Sequence, residues 1–382
     1  MKTSRSFLLI AALILMFNCR ADVSKETTPK RTFNSETTSK HFIKVALLLD
    51  TSNSMDGLID QAKAQLWEIV NELSYAKCKN ERPNLQIALY EYGNDGLKAT
   101  EGYVRKILAF TDDLDDVSKE LFSLTTNGGN EYCGTVIQAS LNKLDWGNNG
   151  DDLKMVFIAG NEPFTQGEIH YKDAASNAKE KGVIVNTIFC GNHQQGIATK
   201  WQDGALLTYG DYMVIDHNKE TVHINSPYDD IIIQLNIKLN NTYVPYGHTG
   251  KKKIAMQEEQ DSNAAQYSKA NAVSRTVTKG SHLYKNSTWD LVDAEKEEGF
   301  SYDELKKEDL PKELKGKTNS ELKVYVNKQR TERNRVQSEI AKYNKKRREF
   351  ISQAKSETSN GLESVMIEAI KKQAQKKNYS WN

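Results

Sequence analysis

The chain has 382 residues, and its 52 Lys and Arg residues balance its 51 Asp and Glu residues to a formal net charge of +1. This length allows one domain of about 200 residues and a smaller second part. The charge is uneven, because residues 318–382 carry 15 Lys and Arg against 7 Asp and Glu. Without aromatic platforms on which bases could stack, this basic region predicts no nucleic-acid partner. It fits a solvated helix face or a contact with an anionic lipid or polymer.

The N-terminus has the pattern of a secretion signal. A basic start over residues 1–5 precedes an apolar run over residues 7–17, which is too short to span a membrane. Cys19 follows this run, where a bacterial lipoprotein is cleaved and acylated, and ordinary cleavage after Ala21 is the alternative. We therefore predict a signal peptide over residues 1–21 and a disordered polar tether over residues 22–41. The protein is expected to be exported and lipid-anchored in the cell envelope, or otherwise secreted or periplasmic.

Residues 42–243 alternate between apolar strands and amphipathic helices. Strands are predicted at residues 43–49, 85–92, 154–158, 183–189 and 212–215, and helices at residues 54–75, 136–144, 170–181 and 227–239. This alternation predicts an α/β fold with a doubly wound, mostly parallel, Rossmann-like sheet. Such sheets bind ligands at the carboxyl ends of their strands, where Asp50, Gly160 and Cys190 are expected to lie.

The first strand runs directly into an Asp-x-Ser-x-Ser sequence formed by Asp50, Ser52 and Ser54. One carboxylate and two hydroxyl groups at alternate positions of a tight loop can face a single hard cation such as Mg²⁺, which prefers oxygen ligands. The alternative is that the two serines only cap the following helix. A carboxylate that ends a buried strand is costly without a partner, which favours the cation.

A strand that leads into Asp-x-Ser-x-Ser resembles the von Willebrand factor type A domain, whose metal-ion-dependent adhesion site opens with this motif. The resemblance covers residues 42–243 and implies a bound Mg²⁺, or Mn²⁺ or Ca²⁺, whose coordination is completed by a carboxylate of a protein ligand. Two family positions differ, since Gly128-Gly129-Asn130-Glu131 lacks the usual threonine and Gly160 stands where the family has an aspartate. Integrin β-type members, in which a middle-loop glutamate binds the metal, imply Glu131 as the replacement. The implied metal ligands are Asp50, Ser52, Ser54, Glu131 and, through a water, Asn161 or Glu162.

The resemblance implies binding without catalysis, and no enzyme is predicted. A haloacid-dehalogenase phosphatase would need an aspartate where Ser52 stands. Gly191-Asn192-His193 lacks the companion motifs of a calcineurin-type phosphoesterase. The predicted function is metal-dependent binding of a protein or peptide carboxylate at the cell envelope. The alternatives are a metal-free scaffold that acts through its C-terminal helices and a metal-dependent hydrolase.

Beyond Cys19 the chain has three cysteines, Cys78, Cys133 and Cys190. Cys133 and Cys190 are both expected at the carboxyl edge of the sheet, so a disulfide between them is the preferred pairing. Three buried free thiols are the alternative, because sequence alone does not fix connectivity.

After the sheet domain, residues 244–317 are interpreted as an extension and a charged linker, in which Trp289 and its apolar neighbours are expected to dock on the sheet domain. From Leu322 onward, residues recur at alternating intervals of four and three, the spacing of a heptad seam. This pattern predicts a helical C-terminal appendage over residues 318–382, as a helical hairpin that turns at Gly361 or as an intermolecular coiled coil. Arg333 and Arg347 interrupt the apolar seam.

Overall fold

The computed structural model describes residues 41–218, 224–354 and 362–381. The predicted signal peptide, Cys19 and the tether up to residue 40 lie outside these residues, as does the predicted helix break at Gly361. Within the described residues, no helix has both the length and the apolar character that crossing a membrane requires.

A six-stranded sheet forms the centre of the fold. The strands of the chain are β1 (Phe42–Asp50), β2 (Ala76–Cys78), β3 (Asn84–Tyr92), β4 (Val104–Thr111), β5 (Leu153–Gly160), β6 (Ile184–Cys190), β7 (Tyr212–Ile215) and β8 (Tyr379–Trp381). The sheet order is β4-β3-β1-β5-β6-β7, and every neighbouring pair is parallel except β3 with β4. The predicted α/β sheet is confirmed. Strand β4 was not predicted, because this partly exposed edge strand lacks the continuous apolar run of a central strand.

Helices cover both faces of the sheet. They are α1 (Asp56–Leu73), α2 (Leu114–Ser123), α3 (Cys133–Lys143), α4 (Tyr171–Glu180), α5 (His193–Ala198), α6 (Trp201–Leu206), α7 (Asp229–Asn240), α8 (Gly250–Tyr267), α9 (Lys269–Lys279), α10 (Leu291–Ala294), α11 (Asn319–Ala354) and α12 (Leu362–Gln375). Alternate strand residues feed two cores, because successive side chains of a strand point to opposite faces. One core includes residues of α1, α2, α9 and α12, and the other includes residues of α3 and α4.

The structure does not separate the C-terminal part from the sheet domain as the sequence analysis expected. Val277 of α9 and Met366 of α12 belong to the same buried core as α1, and β8 pairs with β2. Trp289 is buried and stacks on Tyr243 with ring centroids 5.7 Å apart, so its predicted docking is confirmed. The segment interpreted as a linker is also packed, since its few apolar residues, such as Leu310, are buried in a third core with α11. The residues after the sheet domain therefore continue the same folded body.

The heptad seam of α11 is buried within the chain from Leu322 to Ile340, whereas Phe350 near its end is exposed. Its polar interruptions have partners of their own, since Arg333 donates from Nη1 to Asp290 at 2.6 Å and Arg347 donates from Nε to Asp229 at 3.1 Å. All four side chains are buried. The arginines that interrupt the apolar pattern thus fix α11 to its own chain, where a coiled coil between two chains would leave them unpaired. The helical character of the C-terminal region is confirmed, but α12 packs mainly on α1 and not as a hairpin with α11.

The predicted disulfide between Cys133 and Cys190 is wrong, because Cys78, Cys133 and Cys190 are all free and buried. Strand alternation directs Cys190 into the core that contains α1, while Cys133 belongs to the core on the other face. The sheet therefore separates the two thiols, although both residues lie near its carboxyl edge. The structure agrees with the alternative prediction of three buried free thiols.

Candidate metal site

Three loops at one edge of the sheet carry the predicted site. Asp50 ends β1, and Ser52 and Ser54 lie in the short turn before α1. Asn161 directly follows β5, which pairs in parallel with β1, so the two strands end side by side. Glu131 comes from the loop between α2 and α3. The structure brings these five predicted residues together.

Hydrogen bonds connect the site from loop to loop. The Ser52 backbone N–H donates to Asp50 Oδ1 at 2.8 Å, and the hydroxyl oxygens of Ser52 and Ser54 are 3.4 Å apart. Asn161 Nδ2 donates to Ser54 Oγ at 3.1 Å, which ties the β5 loop to the β1 loop. The backbone N–H of Glu162 donates to Glu131 Oε2 at 3.3 Å. The oxygen atoms of the motif are therefore held by local contacts between the loops.

Two carboxyl groups meet at the base of the site. Asp50 is 0% exposed and Glu131 is 3% exposed, and both side chains adjoin Gly93, where a Cβ atom would lie 2.7 Å from Asp50 Oδ1 and 2.8 Å from Glu131 Cγ. Burial, reinforced by the neighbouring Glu131, raises the pKa of Asp50 well above its ordinary value, and burial also raises the pKa of Glu131. Among the residues that the structure describes, no salt bridge involves Asp50 or Glu131. The basic side chain of Arg105 pairs with Glu91 instead. The pair thus concentrates acceptor oxygens without a balancing cation from the protein.

Two oxygen atoms of the site lack any donor. Asp50 Oδ2 and Asn161 Oδ1 are buried and have no hydrogen-bond partner. A buried acceptor that is left unsatisfied costs about 1–3 kcal/mol. Carboxylate, hydroxyl and amide oxygens are the ligand types that Mg²⁺ and Ca²⁺ prefer. In the described parts of the chain, no group of three or more His, Cys, Asp or Glu residues could hold a metal ion. This site instead combines two carboxylates with neutral oxygens, which fits a hard dication.

Gly160 shows why the carboxylate that the family resemblance implied at this position is missing. A Cβ atom on Gly160 would lie 2.5 Å from the Tyr92 hydroxyl and 3.0 Å from Asp50 Oδ2. The Tyr92 hydroxyl donates to the Ala159 carbonyl at 2.9 Å and is held in place by that bond. Tyr92 therefore fills the space that a side chain at position 160 would need, and the second carboxyl group of the site is that of Glu131, which accepts from the Glu162 backbone in the loop after Gly160.

Tyr92 and Gly93 also shape the site, although neither was among the predicted site residues. Gly93 has φ +79°, and a Cβ atom there would lie 2.7 Å from Asp50 Oδ1 and 2.8 Å from the Glu131 side chain. A glycine is needed on both counts, since L-residues rarely adopt this conformation and the carboxyl pair leaves no space. The available signal was a glycine directly after a buried strand.

Thr135 lies in α3, with its methyl group against the position of Gly102. His193 is exposed at the start of α5 and its ring lies against Tyr212, with centroids 5.3 Å apart. These contacts account for both residues without a bound ion.

Comparison with known proteins identifies the sheet domain. The family model described as von Willebrand factor type A domain matches residues 44–197. Similar solved structures include the conserved hypothetical protein BatB from Bacteroides thetaiotaomicron, at 17% identity over 46% of this chain and 90% of that chain, with a TM-score of 0.35. Proximal thread matrix protein 1 from the mussel byssus, with a zinc-occupied metal-ion-dependent adhesion site, is 14% identical over 47% of this chain and 43% of that chain, with a TM-score of 0.36. An aerotolerance-related membrane protein from Bacteroides fragilis is 16% identical over 46% of this chain and 92% of that chain, with a TM-score of 0.32. No curated protein matches the chain.

Proposed function

Residues 44–197 form a von Willebrand factor type A domain, and on this premise we propose that the chain binds a divalent cation and, through it, a carboxylate of a protein or peptide ligand. The observation that carries the proposal is the placement of two buried side chains with carboxyl groups, Asp50 and Glu131, beside each other against Gly93. Two carboxylates in one dry site repel each other unless a proton or a cation lies between them. A dication would neutralise both.

The neutral ligands and the open side of the site support a role in binding. Ser52 and Ser54 offer hydroxyl oxygens, and Asn161 offers the amide oxygen that has no donor. Mg²⁺, Mn²⁺ or Ca²⁺ would supply an electrophilic position at which an incoming oxygen atom is held. Asp50 and Glu131 are buried behind it, whereas Ser54 is exposed and Asn161 is half-buried. A ligand carboxylate would therefore approach from the side of Ser54.

The proposed activity is binding without chemical conversion of the ligand. The residues of the site have the roles of metal ligands, and none is left over as a general base for hydrolysis. We further propose that Cys19 carries a lipid that anchors the chain at the cell envelope, as the basic and apolar pattern of residues 1–17 supports. A stable anchor of this kind needs more than one acyl chain.

Isothermal titration of the EDTA-treated protein with Mg²⁺, Mn²⁺ and Ca²⁺ tests the proposal. One ion per chain is expected, with strong weakening in Glu131→Gln. Glu168→Gln is the matched control, because Glu168 is an exposed glutamate in the same loop after β5 and is not among the predicted ligands. A pull-down from envelope extract, with Mg²⁺ and with EDTA, then identifies the partner. If none of the three ions binds, the result would favour the alternative hypothesis of a metal-free scaffold over the proposed metal-dependent binding.

A further inference from the structure

A second buried polar cluster joins the ends of two helices on the outer side of α1. Lys279, the last residue of α9, has a fully buried side chain. Its Nζ atom lies 2.5 Å from Oδ1 of Asn240, the last residue of α7, and 2.7 Å from Oδ2 of Asp261 in α8. Asn240 Nδ2 donates to the same Asp261 oxygen at 2.8 Å. An amine, a carboxamide and a carboxylate therefore contact one another pairwise.

We propose that Lys279 and Asn240 form an intramolecular isopeptide bond, with Asp261 transferring the proton. The Asn240 Cγ atom lies one C=O bond, about 1.23 Å, beyond Oδ1, so it can be no farther than about 3.7 Å from Lys279 Nζ. Reacting atoms at about 3–3.5 Å in a fixed arrangement gain much of the advantage of an intramolecular reaction. The remaining movement is a rotation of the Asn240 amide about its terminal side-chain bond, a torsion with a broad energy profile.

The surroundings of Lys279 favour its neutral, nucleophilic form. Burial lowers the pKa of Lys279 to about 8, even though Asp261 acts in the opposite direction. A desolvated lysine with a lowered pKa is a recognised amine nucleophile. Arg275 donates from Nε to Asp261 Oδ1 at 2.6 Å. Burial tends to raise the pKa of Asp261, but Arg275 and Lys279 outweigh it and keep the pKa below its ordinary value. Asp261 is thus ionised and able to accept a proton.

The reaction needs no oxidant and no further reactant. Asp261 accepts a proton from Lys279 Nζ, and the neutral amine forms a bond to Asn240 Cγ. Asp261 passes that proton to Asn240 Nδ2, the Cγ–Nδ2 bond breaks, and ammonia leaves. Asp261 also takes the second proton that Nζ loses as the amide forms and gives it to the departing ammonia, which leaves as ammonium while Asp261 returns to the carboxylate. Because Asp261 Oδ2 contacts both nitrogen atoms, one carboxylate serves as base and then as acid. The product is a secondary amide that ties α7 to α9.

Mass spectrometry of the folded full-length protein tests this proposal. The expected intact mass is lower than that of the processed chain by one ammonia, and digestion should release a branched peptide that joins residues 240 and 279. Both signals should vanish in Lys279→Met and in Asp261→Asn. They should persist in the control Lys253→Met, because Lys253 pairs with Asp113 and Asp116 and with no carboxamide.

An unmodified intact mass, with both peptides recovered in linear form, would overturn the proposal and leave the cluster as an ion pair. Loss of ammonia without the branched peptide would also overturn it, since cyclisation of another asparagine gives the same mass change. The wild-type measurement decides the question alone if a variant fails to fold.

Discussion

Replacing Asp50 with asparagine should reverse the order of stability between wild type and variant when Mg²⁺ is added. The substitution keeps the shape of the side chain but removes one charge from the contact with Glu131 and supplies an N–H donor to it. Wild-type Asp50 Oδ2 is a buried acceptor without a donor, a situation that costs about 1–3 kcal/mol. Without a metal ion, Asp50→Asn should therefore unfold at the same temperature as the wild type or a higher one.

The opposite order is expected when the ion is present. A ligand that binds only the native state stabilises it by about 2.7 kcal/mol at a hundredfold excess over its dissociation constant. For domains of 150–250 residues, each kcal/mol raises the melting temperature by about 2–4 °C. The wild type should gain this shift in Mg²⁺, whereas Asp50→Asn should gain none.

Paired thermal melts in EDTA and in Mg²⁺ measure the crossover. Asp95→Asn is the control for charge, because Asp95 is an exposed acidic residue of a neighbouring loop, and it should behave like the wild type in both buffers. If Asp50→Asn retains the Mg²⁺ shift, or unfolds well below the wild type in EDTA, the carboxyl pair is not a cation site and the reasoning fails.

Three further outcomes are expected. Arg333→Met should lower the free energy of unfolding, measured in urea, by about 3–5 kcal/mol, because it leaves Asp290 buried without its partner. Replacement of the exposed Arg335 by methionine should change it by less than about 1 kcal/mol. Equal effects of the two substitutions would contradict a buried ion pair. Burial lowers the pKa of His282 from 6.5 to about 4, so the stability it contributes is present above pH 6.5 and is lost as the pH falls toward 4. His282→Phe should flatten this acid loss in urea unfolding at pH 7 and pH 4.5, and an unchanged slope would refute the assignment. Cys19→Ala should move the protein from the membrane fraction to the soluble fraction, and an intact mass that begins at Asp22 in the wild type would instead establish cleavage after Ala21.

The sheet and half of the site could be predicted from sequence because their signals are local. Runs rich in apolar residues mark β1, β3, β5 and β6 as strands that are mostly buried. Asp50, Ser52 and Ser54 lie within one tight loop, so their spacing alone indicates oxygen atoms that face a common point. Glu131 required the family resemblance, because nothing in its own segment shows which strand end it approaches.

Only the tertiary structure decided which distant groups meet. Strand alternation directs Cys190 to one face of the sheet, whereas Cys133, the first residue of α3, belongs to the core on the other face, and cysteine positions along the chain do not show this. Tyr92 excludes a side chain from position 160 through a contact between two separate strands. In the sequence, Arg333 and Arg347 interrupt the apolar seam of α11, and only the fold shows that Asp290 and Asp229 lie opposite them. A periodic pattern determines that a face is buried, but the partner that buries it depends on contacts far apart in sequence.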